Sequence, residues 1–151
     1  MKLAEALLLR SEYQQKIENL NSRILSNLKI QEGDVPNEDP EELLTEIFTV
    51  NDKLRELICK INHCNNNIFL SDGRSLAQVL TERDMLIKKR SILSSIVGKA
   101  SEKDYRLTHT EVKMCVTLKI SDLQKQIDLL SKQFRELDTQ IQGLNWSTEL
   151  E

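Results

Sequence analysis

Hydrophobic side chains recur every three or four residues over four long stretches of the chain. This spacing puts them on one face of a helix, so it predicts four amphipathic helices in a single domain of 151 residues. The predicted elements are helices at residues 2–31, 40–64, 75–103 and 121–145, a loop at 32–39 and a turn at 68–74. Short connections between long helices favour antiparallel neighbours. We therefore expect a mainly α fold, a coiled-coil-like bundle of helical hairpins.

Several helix ends are marked by residues that suit them. Gly33 supplies the left-handed conformation that often follows a helix. Asp39 followed by Pro40 opens the second helix, because Asp caps free amides and Pro fits the first helical position. Ser75 and Ser121 each precede a Gln by three residues, which is a capping box.

The fourth helix has the most regular periodicity, with apolar residues stepping by three and four over three heptads. Similar stripes run along the other helices. We expect these stripes to form the helix-packing seam, within one subunit and between subunits. The seam residues are Leu3, Ile17, Leu20, Ile24, Ile47, Leu54, Leu57, Ile61, Leu86, Leu93, Ile127, Leu130, Phe134, Leu137 and Ile141.

The period changes to two before the fourth helix, where Val112, Met114, Val116 and Leu118 alternate with polar residues or Cys. Alternation with β-branched residues predicts a half-buried strand at residues 111–120, a small β element in an otherwise helical fold. A strand needs a partner for its backbone amides and carbonyls. The candidates are residues 67–70 or the same strand of a second subunit.

Further apolar residues lie outside the main stripes. A second stripe on a helix calls for another neighbour, so we expect these residues to pack between copies in a homo-oligomer. They are Leu7, Leu8, Leu28, Leu44, Ile58, Leu80, Ile87 and Leu129.

Three arginines, Arg10, Arg83 and Arg90, occupy stripe positions that are otherwise apolar. One interpretation is an anion or ligand site lined by guanidinium groups. The other is a polar layer, paired with carboxylates of a facing helix, that fixes the packing register. We favour the polar layer, since Glu82 and Asp84 are close by in the sequence.

Charge and composition limit the classes of partner that we expect the chain to bind. Basic and acidic residues, 21 and 24, are interspersed, and the net charge is −3, which gives no electrostatic case for nucleic acid. The basic run at residues 88–90 has no interleaved aromatics and is better explained as a solvated face. No apolar run has the 18 or so residues of a membrane span, so we expect no stable membrane insertion. Three cysteines without framework spacing indicate reduced thiols and a cytoplasmic location.

No residue cluster predicts catalysis, a cofactor or a metal. Cys59 and His63 share a helix face and Cys64 is adjacent, but a zinc site needs further ligands. His109 and Cys115 lie on a different element, so we favour a structural role for the cysteines. The motifs of phosphate loops, nucleophile elbows and zinc proteases are missing, and we expect no enzyme.

The chain also resembles the septicolysin-like family of small bacterial proteins. The stretches that carry the resemblance are residues 1–7 with Arg10, Gln31-Glu32-Gly33 with Pro36 and Asp39-Pro40, Leu57-Ile58, Ile61-Asn62, Asp72-Gly73, Glu82-Arg83-Asp84, residues 106–113, residues 135–142 and Asn145-Trp146. Leu107 and His109 depart from the family, which usually has Tyr and a basic residue there. The residues themselves indicate a homo-oligomeric structural or interaction protein, which binds itself and an unidentified protein partner. The resemblance implies an alternative, a membrane-active cytolysin.

Overall fold

The computed structural model describes residues 1–103 and 112–151, and this part of the chain contains four α-helices. They are α1 (Leu3–Ser26), α2 (Pro40–Asn67), α3 (Leu76–Ala100) and α4 (Ile120–Ser147). Helix α1 packs against α2, and α3 packs against α4, as two hairpins. The described residues contain no sheet. The mainly α fold predicted from the periodicity is therefore confirmed.

Contacts divide the chain into two compact units. The first unit comprises Met1–Ala77 and Gln142–Glu151, and the second comprises Gln78–Ile141. The first contains the α1–α2 hairpin and both chain ends. The second contains most of α3 and most of α4.

A cluster of buried residues holds the α1–α2 hairpin together. Leu20 of α1 and Leu43 and Val50 of α2 are buried at its centre. Tyr13, Ile17, Ile24 and Ile47 pack against them. Each buried aliphatic side chain contributes about 1.5–3 kcal/mol relative to an exposed one. An ion pair of 2.7 Å between Lys16 and Glu46 adds a contact at the edge of the hairpin.

Helix α1 ends five residues earlier than predicted, at Ser26 rather than residue 31. Asn27 is the cause. Its side-chain amide donates to the carbonyl oxygen of Arg23 at 2.9 Å, and its Oδ1 accepts the backbone N–H of Glu38 at 3.1 Å. Such local bonds compete with the helical backbone. Gly33 lies further on, with φ at +88°, in a turn closed by the Asp34 amide donating to the Gln31 carbonyl.

Helix α2 begins where it was predicted, because Oδ1 of Asp39 accepts the backbone N–H of Glu41 at 2.9 Å. It continues three residues beyond the predicted end, to Asn67. The Asn67 side chain donates to the carbonyl oxygen of His63 at 2.8 Å, and the Ile68 amide donates to that of Cys64. These bonds complete the last turn instead of breaking it.

The turn after α2 is closed by backbone hydrogen bonds. The Leu76 amide donates to the Ile68 carbonyl at 2.8 Å, and the Leu70 amide donates to the Arg74 carbonyl at 2.8 Å. Gly73 adopts φ at +86°, a conformation that other residues rarely take. Phe69 forms an isolated bridge with Ser75, so the segment proposed as a strand partner pairs with its own turn.

The two chain ends meet in an isolated antiparallel bridge between Lys2 and Glu149. The Leu3 amide donates to the Thr148 carbonyl at 2.9 Å, and the Leu150 amide donates to the Met1 carbonyl at 2.8 Å. The Glu149 carboxylate contacts the Lys2 ammonium at 2.6 Å and the Met1 ammonium at 3.1 Å. We call this set of bonds the terminal clasp.

The predicted strand at residues 111–120 is wrong over its described part. Residues 112–119 form no strand, and Ile120 begins α4. Val112 and Met114 are 87% and 71% exposed, and Val116 and Leu118 are also exposed. The alternation is present, but the described residues place no backbone beside it. Residue 111, like the departures from the family pattern at Leu107 and His109, lies outside the described residues.

Helices α3 and α4 differ slightly from their predicted limits. Helix α3 spans Leu76–Ala100, where we predicted 75–103, and α4 spans Ile120–Ser147, where we predicted 121–145. The Ser101 amide donates to the carbonyls of Val97 and Gly98, which tightens the last turn of α3. At the other end, the Leu123 amide donates to the Lys119 carbonyl and starts α4 one residue earlier.

Candidate functional site

The predicted seam residues all lie at buried or partly buried positions. Those with the least exposure are Leu3, Leu20, Leu54, Leu57, Ile61 and Ile141. The remaining nine are partly buried, namely Ile17, Ile24, Ile47, Leu86, Leu93, Ile127, Leu130, Phe134 and Leu137. These positions form the less exposed side of each helix.

Two of the three stripe arginines contact residues of the facing helix. Nη1 of Arg83 donates to Oδ1 of Asp138 at 3.0 Å. Nη1 of Arg90 lies 3.4 Å from the hydroxyl of Ser131, and its guanidinium carbon lies 5.6 Å from the centre of the Phe134 ring. Both are partly buried. Arg83 has a carboxylate partner on the facing helix, and Arg90 has a hydroxyl and an aromatic ring. Arg10 is partly buried on α1 and forms no ion pair among residues 1–103 and 112–151.

A groove runs between α3 and α4 on one side of their seam. Its volume is about 350 Å³. The lining residues are Lys89, Ile92, Leu93, Gln126, Leu129 and Leu130. Four of these are aliphatic, so a partner would bind mainly by burying apolar surface. We call this feature the α3/α4 groove.

Large apolar side chains flank the groove and remain open to solvent. Ile92 and Leu129 are 52% and 56% exposed, and Met85 and Ile96 are also exposed. Leu129 was among the apolar residues expected outside the seams, whereas the other three were not. Their signal was present, since Met85 and Ile92 are seven residues apart and share a helix face.

Two ion pairs lie at the end of the hairpin where α3 ends and α4 begins. Lys99 pairs with Glu102 at 2.6 Å, and Lys119 pairs with Asp122 at 3.8 Å. Exposed pairs of this kind add little stability, but they place charges of both signs at this end of the hairpin. Lys88 and Lys89 are exposed, whereas Arg90 turns toward Phe134, so the basic run does not form one continuous surface.

The apolar residues outside the seams divide into two groups. Leu8, Leu28, Leu44, Ile87 and Leu129 are exposed. Leu7, Ile58 and Leu80 are partly buried. The exposed group leaves apolar surface on the outside of the helices.

The side chains of Cys59, His63 and Cys64 do not come together in a metal-binding group. Cys59 and His63 are exposed, and Nε2 of His63 lies 3.2 Å from the side-chain nitrogen of Asn67. Burial, followed by the nearby Glu151 carboxylate, raises the pKa of the Cys64 thiol. Among residues 1–103 and 112–151, no three His, Cys, Asp or Glu side chains come together in a metal-binding group. His109 lies outside the described residues, and Cys115 is exposed.

Lowered pKa values mark carboxyl groups in surface ion pairs. Hydrogen bonds from Lys2 and the chain's amino group lower the pKa of Glu149. Those from Arg23, Lys16 and Arg74 lower the pKa of Glu38, Glu46 and Asp72, respectively. Each shift is explained by a neighbouring cation at the surface.

No helix in the described part of the chain has an apolar stretch that is long enough to cross a membrane. The apolar run Leu7-Leu8-Leu9 lies on α1, with Leu8 exposed.

The comparison with solved structures gives a match over the whole chain. A functionally unknown conserved protein from Corynebacterium diphtheriae is 39% identical, with a TM-score of 0.92. The alignment covers 100% of this chain and 99% of the other. A search of curated proteins gave no match.

The resemblance to septicolysin-like proteins is wrong. The family model that matches the chain is that of a family of unknown function, DUF6847, and it covers residues 10–150. Neither this model nor the solved structure points to a cytolysin, so the alternative that depended on that name loses its basis. Of the stretches that suggested it, Asp39-Pro40 is a general pattern at a helix start. The chain belongs to the DUF6847 family of unknown function.

Proposed function

We propose that this chain is a homo-oligomeric structural or interaction protein, which acts by binding through its helical surfaces and not by catalysis. The observation that carries the proposal is the α3/α4 groove. The groove has a volume of about 350 Å³ and a mostly aliphatic lining. Two of the lining side chains, Ile92 and Leu129, are more than half exposed. Contiguous apolar surface of this kind is typical of protein–protein contacts.

The electrostatics of the chain support binding over catalysis. Active sites usually contain groups whose pKa is shifted by burial or by like charges. Here the carboxyl groups with lowered pKa values face surface cations, as Glu149 faces Lys2. The pKa of the Cys64 thiol is raised. Less of the nucleophilic thiolate is therefore present at neutral pH.

Light scattering and native mass spectrometry test the proposal. The expected result is a mass of at least twice 17.5 kDa at micromolar concentration. Native spectra also report any small molecule that copurifies. A 17.5 kDa monomer at all accessible concentrations would refute the homo-oligomer, and a bound cofactor would refute the absence of catalysis.

We further propose a cytoplasmic location. Three free cysteines, two of them exposed, suit a reducing compartment. Fractionation of cells that produce the untagged chain checks this, with recovery in the culture medium as the contrary outcome.

A further inference from the structure

The α3/α4 groove is bordered by one row of side chains on each helix. On α3, Met85, Ile92 and Lys99 recur every seven residues. Since seven residues are about two helical turns, they lie along one line. On α4, a matching line contains Asp122, Leu129 and Glu136. Ile92 and Leu129 both line the groove, so these two rows border the same side of the hairpin.

The contacts across the seam show which residues of α3 and α4 lie at the same height along the two helix axes, which we call the same level. Arg83 pairs with Asp138 and Arg90 with Ser131, so each step forward on α3 corresponds to one step back on α4. The same relation places Ile92 level with Leu129.

Applied to the ends of the two rows, this relation places Lys99 level with Asp122 and Met85 level with Glu136. The centre of the groove is therefore apolar, and one end carries opposite charges.

A second copy of the chain matches these rows in one of two symmetric arrangements. A twofold axis parallel to the helices places α3 of one copy on α4 of the other, at the same level. Ile92 then meets Leu129 of the second copy, and Lys99 meets Asp122 of the second copy. Every contact occurs twice. Lys99 and Asp122, which pair with Glu102 and Lys119 within the chain, each also meet a charge of opposite sign on the second copy.

The other arrangement, with the axis perpendicular to the helices, is disfavoured by charge. It places α3 on α3 and α4 on α4 in opposite directions. With Leu129 at the centre, Asp122 of one copy then faces Glu136 of the other, which brings like charges together twice. Like charges across an interface cost binding free energy.

We infer that a second copy of this chain docks on the α3/α4 groove about a twofold axis parallel to α3 and α4. This inference rests on the homo-oligomer of the proposed function, and it adds the surface and the symmetry. Four helices then enclose the apolar rows, with neighbours antiparallel throughout, as in four-helix bundles. Ile92 and Leu129 lie at the centre of the interface, where side chains contribute most to affinity.

Cysteine cross-linking tests the surface directly. In a background with Cys59→Ser, Cys64→Ser and Cys115→Ser, protein carrying Ile92→Cys is mixed with protein carrying Leu129→Cys and oxidised. Because each protein has one thiol, a covalent pair of twice 17.5 kDa arises only between chains. We expect this mixed pair to exceed the Ile92→Cys self-pair several-fold.

A matched control uses exposed positions away from the groove. Ser91→Cys mixed with Asp128→Cys should give at most a tenth of the mixed pair, since each exposed residue directly precedes Ile92 or Leu129 and so lies about 100° around its helix from the groove. Circular dichroism of each variant checks that the helices are retained.

A second measurement uses the natural chain, without the three Cys→Ser substitutions. Leu129→Glu in the natural chain should raise the dissociation constant at least about tenfold, because a carboxylate would be buried against Ile92 of the second copy. Gln124→Glu, at an exposed position about 140° around α4 from Leu129, should leave the mass unchanged.

The outcomes separate the two proposals. A wild-type monomer overturns both. An oligomer without the mixed pair above the control level, or one that Leu129→Glu leaves intact, overturns the groove and retains the homo-oligomer. A self-pair of Ile92→Cys that exceeds the mixed pair overturns the parallel axis.

Discussion

Arg83 of α3 donates to Asp138 of α4 across 3.0 Å, in a seam that also contains Arg90 and Ser131 and is otherwise lined by aliphatic and aromatic side chains. The two side chains are only 24% and 30% exposed. Removing Asp138 would leave the partly buried guanidinium with Asp84 of its own helix, 3.6 Å away, as its remaining ion-pair partner. The loss of one partner costs more than the pair itself contributes.

We expect Asp138→Ala to lower the free energy of unfolding by about 1–2 kcal/mol. Urea denaturation followed by circular dichroism measures this. Glu136→Ala is the control, because Glu136 is exposed and its Lys132 contact is 3.9 Å. Equal midpoints for the two variants would contradict a stabilising role of the Arg83 pair.

Arg83→Met distinguishes the two interpretations of the arginine. If the Arg83–Asp138 pair fixes the register of the helices, the variant should change the oligomeric mass in light scattering. If Arg83 belongs to an anion site instead, the mass should stay the same.

Leu20→Ala should destabilise the α1–α2 hairpin by about 2–5 kcal/mol, because it leaves a cavity beside Leu43 and Val50. Leu25→Ala on the same helix is the matched control. Leu20 is 1% exposed and Leu25 is 61% exposed, so the control should cost about 0.5 kcal/mol or less. Thermal unfolding of both variants checks the difference, and a similar melting temperature would place the core elsewhere.

The terminal clasp should weaken in acid. The Lys2 ammonium, and then the Met1 ammonium, lower the pKa of Glu149 from its ordinary value of 4.5. A carboxyl group with a lowered pKa in the folded state stabilises that state above its unfolded pKa. This stabilisation is lost as the pH falls from 4.5 through the lower, folded value.

Amide exchange measured by NMR reports on the clasp, because the Leu150 amide donates to the Met1 carbonyl. At neutral pH we expect faster exchange at Leu150 in Glu149→Gln than in the wild type. Below the folded pKa of Glu149 the two proteins should exchange alike. A constant ratio at every pH would exclude the ion pair as the cause.

Cys64 should react more slowly with iodoacetamide than Cys59 or Cys115 at pH 7.5. Its thiol is partly buried and has a raised pKa, so less thiolate is present, whereas the other two side chains are exposed. Mass spectrometry of peptides after timed alkylation gives the three rates. Glu151→Gln should speed the reaction of Cys64 modestly, because it removes the nearby negative charge that contributes to the shift.

The seams could be predicted from the sequence because they depend on a local period. Ile127, Phe134 and Ile141 are seven residues apart, so any helix that contains them presents them together. The start of α2 was equally local, since Asp39 caps an amide two residues away.

What the sequence did not show depends on distant residues. The alternation around Val116 satisfies the rule for a strand, but a strand also needs a neighbouring backbone, which the described residues do not provide. The early end of α1 results from a bond between Asn27 and Glu38 in the following loop. The groove exists only because α3 and α4 lie side by side at the level set by Arg83 and Asp138.

Residues 112–119 connect to α4 without helix or strand, and Lys113 and Lys119 are exposed there. Open segments of this kind are the sites where trypsin cuts folded proteins first. A nick would divide the chain into one fragment with α1, α2 and α3 and another with α4. Since α4 is held by its seam and by the Arg83–Asp138 pair, the fragments should stay together. The protein would then work as a two-piece complementation system, in which α4 supplied as a separate peptide restores the missing half of the hairpin.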